Sequence, residues 1–401
     1  MALIVMKFGG SSVANKDRVF NVARIIAESY SKDNDVIVVV SAQGDTTDEL
    51  IEKANEITSK PPPRELDALL ATGEQVSASL LAMALDSMGL KAISLTGQQA
   101  GFMTNSTHTS ARIKHIDTER VHTELGYGNI VIITGFQGIN KKDDITTLGR
   151  GGSDTSAVAI AAAMRADVCK IFTDVDGVYT ADPRKVDTAV KLDEISFEEM
   201  LELSSLGAQV LLNRSVELAE KYGVTIEVLS SLTGNPGTLV KEVTSVEGLI
   251  IKGVTKNKDF VSFSIVGAPD KPGVAFKLFS LLGKKGINVD VIVQSVDHDD
   301  KRDIAFTVHS KDKEEALAVI NEHKSVLEFT DVRVDEDVAK VSIVGAGMLS
   351  HSGIASRMFG ALYDAGINIK MITTSEIKIS VIIDSKDADT AVKAVHDEFV
   401  K

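Results

Sequence analysis

The sequence predicts an α/β domain on a mainly parallel sheet, followed by two related α+β units of ferredoxin-like topology. Three observations carry this reading. As far as about residue 240, short Val/Ile-rich runs alternate with longer helical patterns. Beyond residue 264, one stretch recurs at an offset of 80 residues. Between the halves lies "PGTLVKEVTSVE", Pro236 to Glu247, which has the composition of a linker. The expected division is 1–240, then linker and first repeat over 241–335, then the second repeat over 336–401.

In the first part, "LIVMKF" precedes a helical pattern from Arg18 to Tyr30, and "DVIVVVSA" precedes one from Leu50 to Thr58. "KAISLT" and "NIVIITG" follow, then a helix over Thr155 to Met164, then "CKIFTDV" and "TIEVLS". Continuous apolar strands separated by helices belong to parallel sheets covered on both faces. Ligands in such sheets sit beyond the carboxyl ends of the strands, where this chain carries "KFGGSS", "SAQGDTT", "TGFQG" and "TDVDGVYTADPR". In the second part, Gly273 to Ser295 matches Gly353 to Ser375, and each copy follows the pentapeptide "SIVGA". Each copy reads strand, helix, "GIN", strand, strand, helix, strand, which is a split βαβ unit.

Composition narrows the function classes. A formal charge of −14 opposes a nucleic-acid or membrane-surface binder, since neither a basic patch nor a Lys/Arg run is present. One cysteine, Cys169, allows neither an intrachain disulfide nor a thiolate metal site and fits a cytoplasmic protein. "MALIVMKFGG" reads as a first strand, and no segment approaches a membrane span. His108, His115 and His122 recur every seven residues, unlike a helical metal pair, and read as solvated positions with no metal site. Pro61 to Pro63 read as a spacer.

The stretch "TTLGRGGSDTSA", Thr146 to Ala157, places glycines, an arginine and an aspartate at the mouth of a helix. Glycines let backbone N–H groups approach a ligand and a helix N-terminus favours an anion. A flexible loop capped by Ser153 or Asp154 is the alternative. Lys7 before "FGGSS" adds a cation at a strand end, in an order that excludes a Walker A loop, whose lysine follows its glycines.

With "KFGGSS", "SAQGDTTDEL", "ATGEQVS", "TTLGRGGSDTSA" and "TDVDGVYTADPR" in this order, followed by two "GIN" repeats, the chain resembles the monofunctional aspartokinases over nearly its whole length. The resemblance implies an amino-acid-kinase αβα sandwich and two ACT domains. It also implies ATP- and Mg²⁺-dependent phosphorylation of the β-carboxylate of L-aspartate. The chemistry agrees, because a carboxylate acceptor is ionised at neutral pH and needs no general base. What the site must supply is positive charge and backbone donors for the transferring phosphoryl group.

The resemblance assigns Lys7 and Asp154 as catalytic residues, the lysine bridging donor and acceptor and the aspartate holding it. Arg150 takes the α-carboxylate of aspartate, assisted by Gly151, Gly152 and Ser153. Glu74 takes the ammonium, and Ser41, Thr47 and Phe136 complete the acceptor side. Phe8, Gly9, Gly10 and Ser11 line the phosphates with Lys7, while Thr173, Asp174, Tyr179 and Arg184 serve the nucleotide. Many relatives carry a lysine where "GAQVLLN" has Gln209, so that position offers ATP only a neutral amide.

For regulation, the resemblance implies lysine or threonine, or both, as effectors. In the first repeat Asp270 and Asp290 offer two carboxylates for an ammonium, alongside Lys271, Pro272, Gly273, Val274, Ala275, Asn288, Val289 and Gln294. The second repeat contributes Ile354, Ala355, Asn368, Ile369, Ser375 and Glu376, with Ser350 and Lys370 where the acids would stand. Paired ACT domains imply a homo-oligomer. The rival readings are a kinase for glutamate or N-acetylglutamate and a catalytically dead amino-acid sensor; intact Lys7, Arg150 and Asp154 oppose the second.

Overall fold

The computed structural model describes residues 2–400 except 209, 243–248, 296–300 and 350. Gln209 and Ser350 therefore lie outside the described residues. Two compact units are present: Met1–Val178 with Lys191–Ser205 and Gln209–Val246, and Tyr179–Val190 with Leu206–Ala208 and Glu247–Lys401.

The first unit contains strands β1 (Leu3–Phe8), β2 (Asp35–Val40), β3 (Ala92–Leu95), β4 (Phe102–Thr104), β5 (Ile113–Ile116), β6 (Ile130–Thr134), β7 (Gln137–Ile139), β8 (Ile145–Thr147), β9 (Val168–Thr173), β10 (Glu194–Ile195), β11 (Ile226–Ser230) and β12 (Thr238–Val240). Eight of them form one sheet in the order β10-β12-β11-β9-β1-β2-β6-β3, and β4, β5, β7 and β8 form a small second sheet. Strands β1, β2, β3, β6, β9 and β11 run parallel; only β12 opposes its neighbour β11. The expected mainly parallel sheet is thus present, with β1 at its centre.

Alternation along β1 decides where its lysine goes, since successive side chains face opposite sides of a sheet. Ile4, Met6 and Phe8 enter the core with Val22, Ile26, Leu81 and Leu85 of the helices Lys16–Tyr30 and Thr72–Ser87. Each fully buried side chain of this size stabilises by roughly 1.5–3 kcal/mol. Lys7 is thereby turned to the other face, which the helix Gly152–Met164 covers.

One expectation needs correction. Pro63–Ser87, 25 residues, is long and apolar enough by length and composition to cross a membrane. The stretch is two helices meeting at Ala71, Pro63–Leu70 and Thr72–Ser87, and it is half buried in the unit's interior. Its buried Asp67 and Glu74 and its place in the core mark it as a core element.

The second unit holds two four-stranded sheets. One is β15-β16-β14-β17, built from β14 (Phe260–Pro269), β15 (Val289–Gln294), β16 (Lys301–His309) and β17 (Asp331–Asp335), with the helices Val274–Lys284 and Lys313–Glu322. The other is β13-β18-β20-β19, from β13 (Gly253–Asn257), β18 (Val338–Val344), β19 (Met371–Thr374) and β20 (Lys378–Asp384), with the helices Ile354–Asp364 and Ala388–Phe399. Among the described residues, no strand follows the helix Ala388–Phe399, where the repeat pattern predicts the second copy's final strand. Its position is filled by β13, which pairs antiparallel with β18 as β17 pairs with β14. The stretch expected as linker and first repeat thus lends a strand to the second sheet.

Candidate active site

At the carboxyl edge of the central sheet, register aligns Phe8 with Val40 and Phe172, so the loops after β1, β2 and β9 leave side by side. The Phe8 and Phe172 rings stack with centroids 4.5 Å apart. Ser41 N–H donates to Phe8 O at 3.1 Å and Gly44 N–H to Gly10 O at 3.1 Å. A β-carbon on Gly10 would lie 2.6 Å from Ala42 O, closer than any side chain tolerates, so glycine is required where these two loops meet.

Lys7 Nζ lies 2.6 Å from Asp154 Oδ1, and both side chains are 11% exposed. That oxygen has no aligned hydrogen-bond partner, so the contact is ionic. The ammonium also stands beside Gly9, 3.6 Å from the point where a side chain would begin. Here the two readings of the glycine stretch separate. Gly151 occupies the N-cap with φ +63 and no side chain caps the helix, so Asp154 is occupied by Lys7 and does not serve as a cap. A β-carbon on Gly151 would fall 1.1 Å from Leu212 Cδ1, so any other residue would have to displace the Leu212 side chain while holding φ +63. Arg150, one position earlier, is exposed, and no carboxylate among the described residues pairs with it.

Glu74 opens the helix Thr72–Ser87 and is 3% exposed. Its Oε1 accepts from Ala42 N–H at 3.2 Å, and its Oε2 is buried without a partner. Burial pushes its pKa up to about 7, against the lowering effect of the backbone donors. A buried acceptor without a donor is costly, and an ammonium would supply the missing donor. Phe136 holds φ +70, an uncommon conformation for a non-glycine residue, with its N–H on Ser156 Oγ at 3.1 Å. Thr47 is half-buried in the first turn of the helix Thr46–Ile57, and Ser11 is exposed after β1.

The first unit therefore gathers Lys7, Gly9, Gly10, Ser41, Glu74, Phe136, Arg150 and Asp154 along one edge of the sheet. Thr173, at the end of β9, donates to Asp174 Oδ1 at 3.0 Å. Tyr179 and Arg184 belong to the segment that clusters with the second unit, where Arg184 pairs with Asp182 at 3.0 Å. One reading fails. His108 is not a solvated position: its Nδ1 lies 2.8 Å from the fully buried Asp67, while His115 and His122 are exposed as expected.

An amino acid kinase family model matches residues 2–230, and two ACT domain models match 263–328 and 341–399. The chain belongs to the aspartokinase family. It is 50% identical to the aspartokinase of Pseudomonas aeruginosa over 402 aligned positions, spanning all of this chain and 98% of that one. The aspartate kinase of Stutzerimonas stutzeri matches equally, at 50% over all of this chain and 97% of the relative. Among solved structures, Escherichia coli aspartokinase III in complex with aspartate and ADP superposes with a TM-score of 0.83 at 25% identity, each chain fully covered. Members of this family are phosphotransferases with a carboxyl group as acceptor, use ATP, and carry regulatory ACT domains. Kinases for other amino acids are displaced as readings by the full-length match and the ACT pair.

In the second unit, the residues expected to bind an effector lie before and on β15 and at the corresponding places of the second repeat, with a charge pattern that differs from expectation. The two acids expected to be open for a ligand ammonium already have cations: Asp270 lies 2.8 Å from Arg302 Nε, and Asp290 pairs with Lys340, a side chain only 7% exposed. Lys340 also stands over the Phe260 ring. In the second repeat Lys370 bridges Asp335 and Asp384, whose hydrogen bonds raise its pKa. Gly273 and Gly353 open their helices at φ +95 and +86, so the two copies agree in backbone and differ in charge.

Proposed function

We propose that the chain transfers the γ-phosphoryl group of ATP to the β-carboxylate of L-aspartate, giving 4-phospho-L-aspartate for lysine, threonine and methionine synthesis, and that lysine, threonine or both inhibit it through the ACT domains. The observation that carries the reading is Lys7, held by Asp154 beside the Gly9–Gly10 turn at the centre of the sheet edge. Arg150 binds the α-carboxylate as a fork of donors, with Gly151, Gly152 and Ser153 beside it, and Glu74 receives the ammonium on its free oxygen. Ser41, Thr47 and Phe136 close the acceptor side. The β-carboxylate arrives ionised, so proton removal is unnecessary and charge compensation is the main task.

On the nucleotide side, Phe8, Gly9, Gly10 and Ser11 follow the phosphates, and Thr173 and Asp174 serve the nucleoside. Mg²⁺ fits this donor set, because it is held largely by phosphate oxygens and one or two carboxylates, and Asp174 supplies an exposed one. No cluster of three or more His, Cys, Asp or Glu exists among the described residues, and such a cage is not needed. The ion would neutralise charge that builds on the phosphates. Incubating enzyme, ATP, Mg²⁺ and aspartate with hydroxylamine is expected to yield aspartyl hydroxamate, since an acyl phosphate is trapped by this nucleophile. Hydroxamate from glutamate or N-acetylglutamate alone would replace this reading with the corresponding kinase.

For control, Escherichia coli aspartokinase III has been solved in complex with lysine and aspartate, and this chain superposes on it with a TM-score of 0.78 at 26% identity. An effector ammonium here competes with Lys340 for Asp290, and the exposed apolar Ile292 and Ile372 on edge strands suit association between copies in a homo-oligomer. A cytoplasmic location accords with the single buried thiol. Asp290→Asn is expected to raise the concentration of lysine or threonine needed for half-inhibition by at least about tenfold with uninhibited kcat retained, because an effector acts only through its differential affinity for two states. The asparagine keeps a hydrogen-bond acceptor for Lys340. Steady-state inhibition curves check this, and undiminished sensitivity to both amino acids would remove Asp290 from the effector site.

A further inference from the structure

Asp67 is a fully buried carboxylate on the helix Pro63–Leu70, in a place where a surface-covering helix would ordinarily bury an aliphatic side chain. Burying a charge is tolerated only when its hydrogen bonds are complete. Here they are. Thr147 Oγ1 donates to Oδ1 at 2.6 Å, Thr109 N–H reaches both oxygens at 3.0 and 3.1 Å, and His108 Nδ1 lies 2.8 Å from Oδ2. A carboxylate accepts only, so it fixes Nδ1 as the protonated nitrogen of His108.

What this network holds is the approach to Arg150. Thr147 ends β8, three residues before it, and the Thr147 carbonyl accepts from Ala111 N–H at 2.8 Å. The next residue, Leu148, donates its N–H to Phe136 O at 2.8 Å, and its carbonyl accepts from Arg214 Nη1 at 3.0 Å. Arg214 Nη2 returns to Ala111 O at 2.9 Å, closing a ring of bonds around Thr147 and Leu148. Beyond that ring come Gly149, at φ +81 with its carbonyl accepting from Gly152 N–H at 2.9 Å, and the exposed Arg150. Asp67 also lies seven residues before Glu74, across the Ala71 junction, and the Ala71 carbonyl is held by Gln137 Nε2 at 2.9 Å.

We propose that Asp67, through Thr147 and with Arg214, is a positioning residue for acceptor recognition. It sets the spacing between the Arg150 guanidinium that takes the α-carboxylate and the Glu74 carboxylate that takes the ammonium. The proposal rests on the assignment of those two residues made above. A single α-amino acid must satisfy both groups at once, and a displacement of either by even an ångström weakens binding and alignment together.

Thr147→Val, which removes the hydroxyl with almost no change of volume, and Asp67→Asn are each expected to raise KM for aspartate about tenfold while KM for ATP stays within about twofold. Thr147→Ser, which restores the donor, is expected to return KM for aspartate to the wild-type value. That split and rescue are what a purely structural role would not produce. The proposal is overturned if folded Thr147→Val binds aspartate normally, or if both substrates lose affinity equally. Should Asp67→Asn fail to fold, the threonine pair carries the test alone. Arg150→Ala is the control: an unchanged KM for aspartate there overturns the acceptor-site assignment, and this proposal with it.

Discussion

Lys7→Ala is expected to lower kcat at least about a hundredfold with a much smaller change in either KM, because the lost charge acts on the phosphoryl group in transit more than on either bound substrate. The ammonium stands beside Gly9 and 2.6 Å from Asp154, close enough to both to follow a charge that shifts from one oxygen to another. Removing it also leaves Asp154 uncompensated in a site with little solvent, and breaking such a pair costs about 3–5 kcal/mol of stability where burial is complete. With both side chains 11% exposed, the cost here is smaller. Folding loss would mimic catalytic loss, so the two must be separated. The double variant Lys7→Met with Asp154→Asn removes the stranded charge and is expected to recover the melting temperature while kcat remains low. If the double variant regains activity together with stability, Lys7 contributes through folding and the catalytic assignment is wrong.

What could be read from the sequence follows from how the chemistry is spaced along the chain. Lys7 and its glycines are contiguous, the Arg150 to Asp154 stretch is contiguous, and a strand centred in a parallel sheet brings the two together by rules that hold for any such sheet. The Asp67 network had no local signal. Its partners lie 41, 42 and 80 residues from Asp67, His108 and Thr109 in one loop and Thr147 at the end of β8, and His108 taken alone looked like any polar loop residue. Strand β13 was hidden for the same reason: "GVTKN" is short, and only pairing with β18, 83 to 91 residues on, makes it part of a sheet. The effector carboxylates were found, but their cations were not, since Arg302 and Lys340 approach Asp270 and Asp290 through tertiary packing.

Glu74→Gln is expected to raise KM for aspartate at least about thirtyfold and to leave KM for ATP nearly unchanged, the size following from loss of a buried charge partner for an ammonium. The pH dependence sharpens the test. Burial holds the wild-type carboxyl at about 7 in the folded protein, against about 4.5 in the unfolded chain. Between those values the folded state binds the extra proton, so stability is fully present below the lower value and declines as pH rises through 7, by on the order of 3 kcal/mol in total. Glutamine keeps an acceptor for Ala42 N–H and carries no charge to bury. The variant is therefore expected to melt higher than wild type at pH 8, with the difference vanishing near pH 5. Aspartate binding runs in the opposite direction: the ionised carboxylate is the binding form, so wild-type KM falls as pH rises through 7, whereas the variant's KM stays flat. Steady-state kinetics and thermal melts over pH 5 to 8 measure both trends. A variant that loses affinity for both substrates, or whose melting temperature falls at every pH, would show that Glu74 supports the fold and not the ammonium of the acceptor. The two trends share one cause, because the desolvation that makes the charge costly in the empty site is what makes its pairing with a substrate ammonium strong.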